Sequence, residues 1–405
     1  MTVAGIVAEY NPFHCGHEWH IKQTKKEADA IVCVMSGAFT QRGTPALIDK
    51  WARAKCAASC GANLVMELPY PFSSAPAEIF AYGAVDLLGK LGVVDILSFG
   101  SECGEIKPLK DTAKVLEKKG REISEDIKAR AGEGKSYAAA VAEAVSEITD
   151  ATVMESPNNL LGIKYIMAID RLGLAIEPFT IKREGAGYND QSLENNFVSA
   201  AALRNEISIG REDKINLFMP QKAAEILKEE KQLGKLYDFK LLDALFTGII
   251  RREGKGIAKY AYIAEGLENR FALAAEKYSS IAEIIDYVKT KRYTHTRLSR
   301  IASAILVGMS KECLAENISG GAGYAKVLAA DNKGLEILKK IKKNGIIPVI
   351  SRGGDYVNLP PFAKAQFELE MRAQNIAALC CEKKDMRIAH RDLLQCPYIK
   401  EGKDD

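Results

Sequence analysis

An open, doubly wound α/β sheet of parallel strands, carrying a helical insertion and followed by a mainly α-helical second domain, is the fold this sequence predicts. Three observations carry that expectation. Short apolar runs alternate with helical patterns up to Phe99; the first two runs are spaced as in a βαβ unit; and beyond Arg211 apolar residues recur mainly at helical spacing.

Thr2 to Ala8 predicts a buried strand, the stretch from Gly16 to about Glu27 a helix, and Ala30 to Val34 a second strand rich in branched residues. A right-handed crossover makes these two strands parallel. Helix 47–59, strand Ala62 to Leu68 stopped by Pro69, helix Ala77 to Leu91 and strand Val93 to Phe99 continue the alternation. Between Lys107 and Glu147 charged amphipathic patterns broken by Gly132 and Gly134 predict a helical insertion over about 105–150. Ser156-Pro157 reads as a helix start, because Ser caps well and Pro is tolerated at the first helical position. Asn158 and Asn159 in that first turn serve equally as caps or as ligand donors. A strand over Ile176 to Lys182 ends at Arg183, and Ser199 opens a helix that carries Arg204. Helices follow over Lys222 to Glu230, Leu241 to Arg251, Ala258 to Ala275 and Ile281 to Val288. Short strands at Lys326 to Ala330 and Ile346 to Ser351 flank a helix Leu335 to Lys343, and Phe362 to Glu382 predicts a long closing helix. The chain thus divides into 1–210 and 211–405.

At 405 residues a two-domain chain is expected. Lys plus Arg number 56 against 53 for Asp plus Glu, so a nucleic-acid surface has to come from local clustering. Nine cysteines stand at no paired metal or disulfide spacing, which fits a reducing cytosol. The N-terminus lacks a secretory pattern, and the longest apolar stretches, such as Ile301 to Met309, are too short for a bilayer. A cytoplasmic protein with no membrane association is expected, and no stable protein partner is inferred.

The chemistry concentrates in Val7, Ala8, Glu9, Tyr10, Asn11, Pro12, Phe13, His14, Cys15, Gly16, His17, Glu18, Trp19 and His20. A strand that turns into a helix through glycine offers free N–H groups and the positive end of the helix dipole to an anion. Gly16 removes a Cβ at the closest approach, and His14 and His17, three apart, can donate to the same phosphate. This predicts an ATP site. Three of the five histidines fall at His14, His17 and His20, a spacing that could also hold a metal, but the His-Glu-x-x-His zinc pattern is missed by one residue and no acidic ligand follows. No metal site is assigned. Cys15 reads as a small residue tolerated at the turn. Ligands of such sheets sit beyond the carboxyl ends of the strands, which brings the loops Glu9 to Gly16, Ser36 to Pro45 (with Arg42) and Gly100 to Gly104 to one rim.

Lys289, Lys291, Arg292, Arg297 and Arg300 fall within 12 residues around Tyr293 and His295. Cations interleaved with aromatics suit RNA phosphates and bases; a solvated helix face would look the same.

Pro12-Phe-His-x-Gly-His17 resembles the His-x-Gly-His signature of the nucleotidyltransferase superfamily, with Glu9 and Asn11 standing where many small adenylyltransferases carry Thr or Ser and Asp. Ser199 to Arg204 is similar to their second phosphate-binding segment. As an ordered set, Ala8 to His17, Ser36-Gly-x-Phe-x-Gln-Arg-Gly43 with Asp49-Lys-x-x-Arg53, Glu67-Leu-Pro, Phe99-Gly-Ser-Glu102, Ser156-Pro-Asn-Asn159 and Tyr293-Thr-x-Thr-Arg297 closely resemble the tRNA(Met) cytidine acetate ligases. The resemblance implies a nucleotidyltransferase-like sheet domain that activates acetate with ATP as acetyl-adenylate. The acetyl group would then pass to N4 of the wobble cytidine of elongator methionine tRNA, releasing AMP. It implies His14 and His17 as catalytic residues, and an ATP site of Val7 to His20, Gly100, one or both of Asn158 and Asn159, and Arg183. It further implies tRNA contacts from Lys289, Lys291, Arg292, Arg297 and Arg300, and Mg²⁺ arriving with ATP.

Two other readings stay open on sequence alone. An adenylyltransferase of a small coenzyme precursor would use the same cradle, although it would leave the second domain and its basic run without a purpose. A non-catalytic ATP-binding RNA-binding protein would keep both surfaces. The class I synthetase loop is represented only by Met309-Ser-Lys311, and the zinc deaminase signature is missing.

Overall fold

The computed structural model describes residues 1–118, 152–183, 199–208 and 217–401. Among them eight strands form one sheet: β1 Val3–Ala8, β2 Ala30–Ser36, β3 Leu64–Leu68, β4 Ile96–Ser101, β5 Glu177–Lys182, β6 Ala325–Ala330, β7 Val349–Ile350 and β8 Tyr398–Ile399. The order is β5-β4-β1-β2-β3-β6-β7, with β8 also on β6. β1 to β5 are mutually parallel, whereas β6 runs antiparallel to β3. The chain leaves β1 toward β2 and β3, then returns to place β4 on the other side of β1. That reversal opens a crevice at the carboxyl ends of β1 and β4, where the Glu9 to Gly16 and Gly100 to Gly104 loops meet.

The period of two along β2 shows why both faces are covered. Val32 and Val34 pack on one face with Leu64, Met66 and Leu97 against Phe80, Val85 and Leu88 of helix Ala77–Lys90 and Ile163 and Ile166 of helix Pro157–Leu172. Ile31, Cys33 and Met35 pack on the other with Val65 against Ile21 of helix Cys15–Thr24 and Trp51, Ala54 and Ala57 of helix Lys50–Ser59. A strand buried on both faces reads as a continuous apolar run, which is how it was visible in the sequence.

The sheet also receives three strands from the C-terminal part of the chain. The expected helices from Leu241 to Val288 form a cluster around Phe246, Phe271, Ile285, Leu298, Ile301 and Ile305, after which β6, β7 and β8 extend the sheet beyond β3. The expected boundary between 210 and 211 lies outside the described residues, as does the expected insertion beyond Lys118. Helix Asn332–Asn344 sits between β6 and β7 as expected, and the closing helix is Pro361–Ala378.

One expected helix is two elements. Ala258 to Ala275 divides into a 3₁₀ segment Gly254–Lys259 and a helix Leu267–Lys277. Between them Tyr262, Glu265 and Gly266 adopt positive φ, and Ala261 N–H donates to Met309 O at 2.9 Å, so this backbone pairs with the distant Met309 segment rather than with itself. Among the described residues no helix is long and apolar enough to cross a membrane.

Candidate active site

Between β1 and its helix the backbone is held from three sides. Arg53, buried in helix Lys50–Ser59, donates to Glu9 O at 2.7 Å, Ser36 O at 2.9 Å and Ile48 O at 3.2 Å, and also to Gly37 O, tying together the loops that follow β1 and β2. The Glu9 carboxylate accepts from Gln41 N–H at 2.8 Å, and Asn11 Oδ1 accepts from Leu47 N–H at 2.8 Å. Arg204 donates to Asn11 O at 2.6 Å, reaching in from helix Ala200–Ser208. The Asn11–Pro12 peptide bond is cis.

Helix Cys15–Thr24 begins with a capping box made of two histidines. His14, in extended conformation, accepts the Gly16 N–H on Nδ1 at 3.1 Å, and His17 Nδ1 accepts the His14 N–H at 3.2 Å. Each ring has therefore spent Nδ1 as an acceptor, which fixes its proton on Nε2 as a donor. The rings stack with centroids 3.7 Å apart. Burial first, then the Arg183 and Arg204 guanidinium groups, lowers the His14 pKa to about 3. Burial, then His14 and Arg183, pushes His17 well below the usual imidazole range. His20 bonds Ser98 Oγ at 3.0 Å, and burial with Arg183 lowers it to about 4. All three are neutral at physiological pH. The positive charge of the site comes from arginine and the helix start, while the imidazoles supply oriented N–H donors.

One cleft takes in Val7, Ala8, Glu9, Tyr10, Asn11, His14, Gly16, His17, Trp19, His20, Gly100, Asn158 and Arg183. Of the expected ATP residues, Pro12, Phe13, Cys15, Glu18 and Asn159 do not line it. Phe13 is buried in the sheet's packing, Cys15 N–H donates to Phe218 O, and Glu18 pairs with Lys22 at 2.9 Å. Gly100 has a specific reason to be glycine: a Cβ there would lie 3.1 Å from Arg183 Cγ, crowding the arginine across the cleft mouth.

The two asparagines separate by what they hold. Asn159 Oδ1 accepts from Glu102 and Cys103 N–H at 2.9 and 3.2 Å, closing the loop after β4. Asn158 lines the cleft, and its Nδ2 donates to Glu102 Oε1 at 2.6 Å, which leaves its amide oxygen as an acceptor. Arg42, Arg204, Ser199 and Gln41 line the cleft too, as do Phe80, Phe99, Leu161 and Tyr165, a largely apolar wall beside Gly100. Arg42 was legible from its loop and Arg204 from the Ser199 helix; no sequence pattern singled out the apolar wall.

The basic run spans the turn that leaves helix Ile281–Val288 and the first two turns of helix His295–Val307, which is capped by Thr294. Lys289, Lys291 and Arg292 are exposed, whereas Arg297 and Arg300 are half-buried. Arg292 pairs with Glu265 at 2.8 Å, an acid that lies close only through the turn before Leu267, and Arg297 stacks 4.9 Å from the Tyr293 ring. Arg300 points the other way, toward the cleft: its Nε donates to Gln41 O at 2.7 Å.

Comparison with known proteins agrees with this geometry. The family model described as HIGH Nucleotidyl Transferase matches residues 1–392. A tRNA(Met) cytidine acetate ligase of Acetivibrio thermocellus is 37% identical over 98% of this chain and 99% of that protein, and one of Caldicellulosiruptor bescii is 40% identical over 94% of each. The crystal structure of Thermotoga maritima TmcAL bound with alpha-thio ATP matches at TM-score 0.92 and 30% identity, covering 99% of this chain and all of that one. The apo form of that protein matches at TM-score 0.94 and 31% identity. With a HIGH-type cradle, a reversed sheet and near full-length identity of this order, the chain belongs to the tRNA(Met) cytidine acetate ligase family of HIGH nucleotidyltransferases.

Proposed function

We propose that this protein activates acetate with ATP and joins it to N4 of the wobble cytidine of elongator methionine tRNA in the cytoplasm. The observation that carries the reading is the pair of stacked neutral histidines, whose Nδ1 atoms are occupied by backbone N–H and whose Nε2–H donors remain for a ligand at a helix start. An acetate oxygen attacks the α phosphorus of ATP, the bond to the bridging oxygen breaks, and pyrophosphate leaves. His14 and His17 donate to the phosphate oxygens as their charge grows, and Arg183 and Arg204 add fixed positive charge. Mg²⁺ would accompany ATP as part of the substrate and would offset phosphate charge there.

The adenine fits the wall of Phe80, Phe99, Leu161 and Tyr165 beside Gly100, with Asn158 accepting from the nucleoside. The cytidine amine then attacks the acetyl carbonyl, loses its proton, and displaces AMP. No covalent enzyme intermediate is needed, so alignment does most of the work. Lys289, Lys291 and Arg292, in the turn before helix His295–Val307, and Arg297 in its first turn do not line the cleft, and in this reading they hold the tRNA. Incubating methionine tRNA with the protein, ATP and labelled acetate, followed by mass spectrometry of its nucleosides, tests the whole sequence of steps. Labelled N4-acetylcytidine is expected. ATP binding with no label on RNA, and adenylation of a coenzyme precursor instead, would overturn it.

A further inference from the structure

The loop after β2 is clamped between the two working surfaces of the molecule. Thr40 N–H donates to Thr44 O, Gly43 N–H to Thr40 O and Ala46 N–H to Ala38 O, at 2.9, 2.9 and 3.1 Å, so residues 38–46 form a tight hairpin with Gln41 and Arg42 at its tip. That tip lines the cleft. The Gln41 backbone is held on both sides: its N–H by the Glu9 carboxylate, its carbonyl by Arg300 Nε at 2.7 Å. Gly43, at φ 79°, packs so closely on the same helix that a Cβ would lie 2.4 Å from Arg300 N. Three residues on, Ser303 Oγ bonds Tyr70 OH at 2.6 Å and Ser74 Oγ at 2.9 Å, which seats helix His295–Val307 on the segment after β3.

Strand order places this wall on one side of the cleft. Gly100, Asn158 and Arg183 lie on the β4 and β5 side of β1, together with the apolar wall, while Gln41 follows β2 on the opposite side. With ATP laid from the HIGH turn toward β4 and β5, the Gln41 and Arg42 side is left for the acid that is activated.

We propose that Arg300 is a positioning residue for acetate activation: by holding the Gln41 carbonyl it fixes the cleft wall against which the acid is aligned with ATP, and so joins the basic helix to the adenylation site. This rests on the ligase reading above. It also assigns Arg300 a task that needs no RNA, although it belongs to the same basic run as the proposed tRNA contacts. One charge-assisted hydrogen bond onto a backbone carbonyl is enough to matter, because misplacing an aligned reactant by a fraction of a bond length lowers rate without abolishing binding.

The test is acetate-dependent exchange of labelled pyrophosphate into ATP with no tRNA present, run with ATP calorimetry and melting on the same preparations. Wild type is expected to exchange only with acetate; if it neither exchanges nor acetylates methionine tRNA, the ligase reading falls and this inference with it, whereas acetylation of tRNA without exchange would overturn only the RNA-free task assigned to Arg300. Given wild-type exchange, Arg300→Ala should lower kcat/KM for acetate by about tenfold, with ATP affinity within about twofold. Unchanged exchange in Arg300→Ala would leave Arg300 as an RNA contact and overturn the positioning role alone. A parallel loss of ATP affinity, exchange and melting temperature would mean that it merely supports the fold, and would also overturn it. Arg300→Lys guards against a folding failure. It keeps the charge but replaces the rigid Nε–H with a flexible ammonium, so a folded variant with exchange between those of wild type and alanine is expected, and one with full exchange counts against the proposal.

Discussion

In the proposed reaction His14 and His17 put a helix-capping device to catalytic use, because Nδ1 of each ring caps the helix and Nε2–H is left to donate. His17→Ala should therefore cut adenylate formation by about a hundredfold while the sheet stays folded, the usual loss when one donor to a developing oxyanion is removed. Wild-type turnover in a folded His17→Ala protein would take it out of the mechanism. The depressed histidines also predict a pH dependence of stability. Their folded pKa values, about 3 for His14 and about 4 for His20, lie below the ordinary 6.5, so the unfolded chain binds protons that the folded one refuses. Stability from these groups is complete above about pH 6.5 and is lost as pH falls toward 4. Melting curves from pH 7 to 4.5 should show the decline, and His14→Asn should flatten it; parallel wild-type and variant curves would assign the acid sensitivity elsewhere. Glu102 is a third point. Its carboxylate receives Asn158 Nδ2 and Asn159 N–H, so Glu102→Gln should set an amide donor against one of them and release Asn158. A fall of about tenfold in ATP affinity by calorimetry is expected, and unchanged affinity would deny Asn158 a role in binding. The histidine spacing was legible in the sequence because its chemistry is local. The choice between Asn158 and Asn159 was not, since adjacent residues in a first helical turn differ only in where they point, and no local pattern marks Arg53 as a buried clasp on four carbonyls.

Elements were legible where burial wrote itself into composition. β2 is apolar at every position up to Ser36 because both faces are covered. Legibility failed where the deciding partner was remote. The apolar spacing through Ala258 to Ala275 continues as if for one helix, but the Ala261 N–H pairs with Met309 O, and positive φ at Glu265 and Gly266 redirects the chain. Likewise β6 looked like a short strand without revealing that it would pair with β3, a partner more than 250 residues earlier. The hairpin after β2 offers a test at this scale. Gly43→Ala faces both a positive φ and a Cβ 2.4 Å from the Arg300 backbone, and neither can be relieved by rotating a side chain. The tip must lift from helix His295–Val307, so melting temperature should drop by several degrees, in line with a loss of about 1–3 kcal/mol. A variant that melts with the wild type would show that the hairpin tolerates separation from the helix.

At the scale of the whole molecule, the early and late parts of the chain are joined by a buried ionic cluster. Lys50 Nζ lies 2.5 Å from Glu67, 3.0 Å from Glu370 and 2.7 Å from Asp392, and Lys326 bonds Asp392 as well. These side chains are almost wholly buried. Burial disfavours the Lys50 charge, but Asp392, Glu370 and Glu67 outweigh it and raise its pKa. Burial acts on Asp392 in the opposite sense, and Lys326 and Lys50 overcome it to hold Asp392 near 2. Glu67 moves the other way, its pKa raised by burial and by the Glu370 charge against the pull of Lys50 and Lys326. Such a cluster is weak as a source of net stability yet unforgiving when halved. Lys50 and Glu67 come from the first part of the chain, Lys326, Glu370 and Asp392 from the last, and Glu67 and Lys326 stand opposite each other where β3 pairs with β6. The sheet is consequently not a unit that a fragment 1–210 can complete. That fragment would expose the edge of β3 and leave Lys50 facing Glu67 without its other partners, at a cost of about 3–5 kcal/mol, comparable with much of a domain's stability of about 5–15 kcal/mol. Expressed alone it should lack a cooperative melt and bind no ATP. The full-length variant Lys50→Met should lose stability by a similar amount, and Lys50→Met with Glu370→Gln should recover part of it, because the second change removes a charge the first has stranded. A cooperatively folded, ATP-binding fragment 1–210 would show that the late strands are an accessory to the sheet rather than part of its foundation.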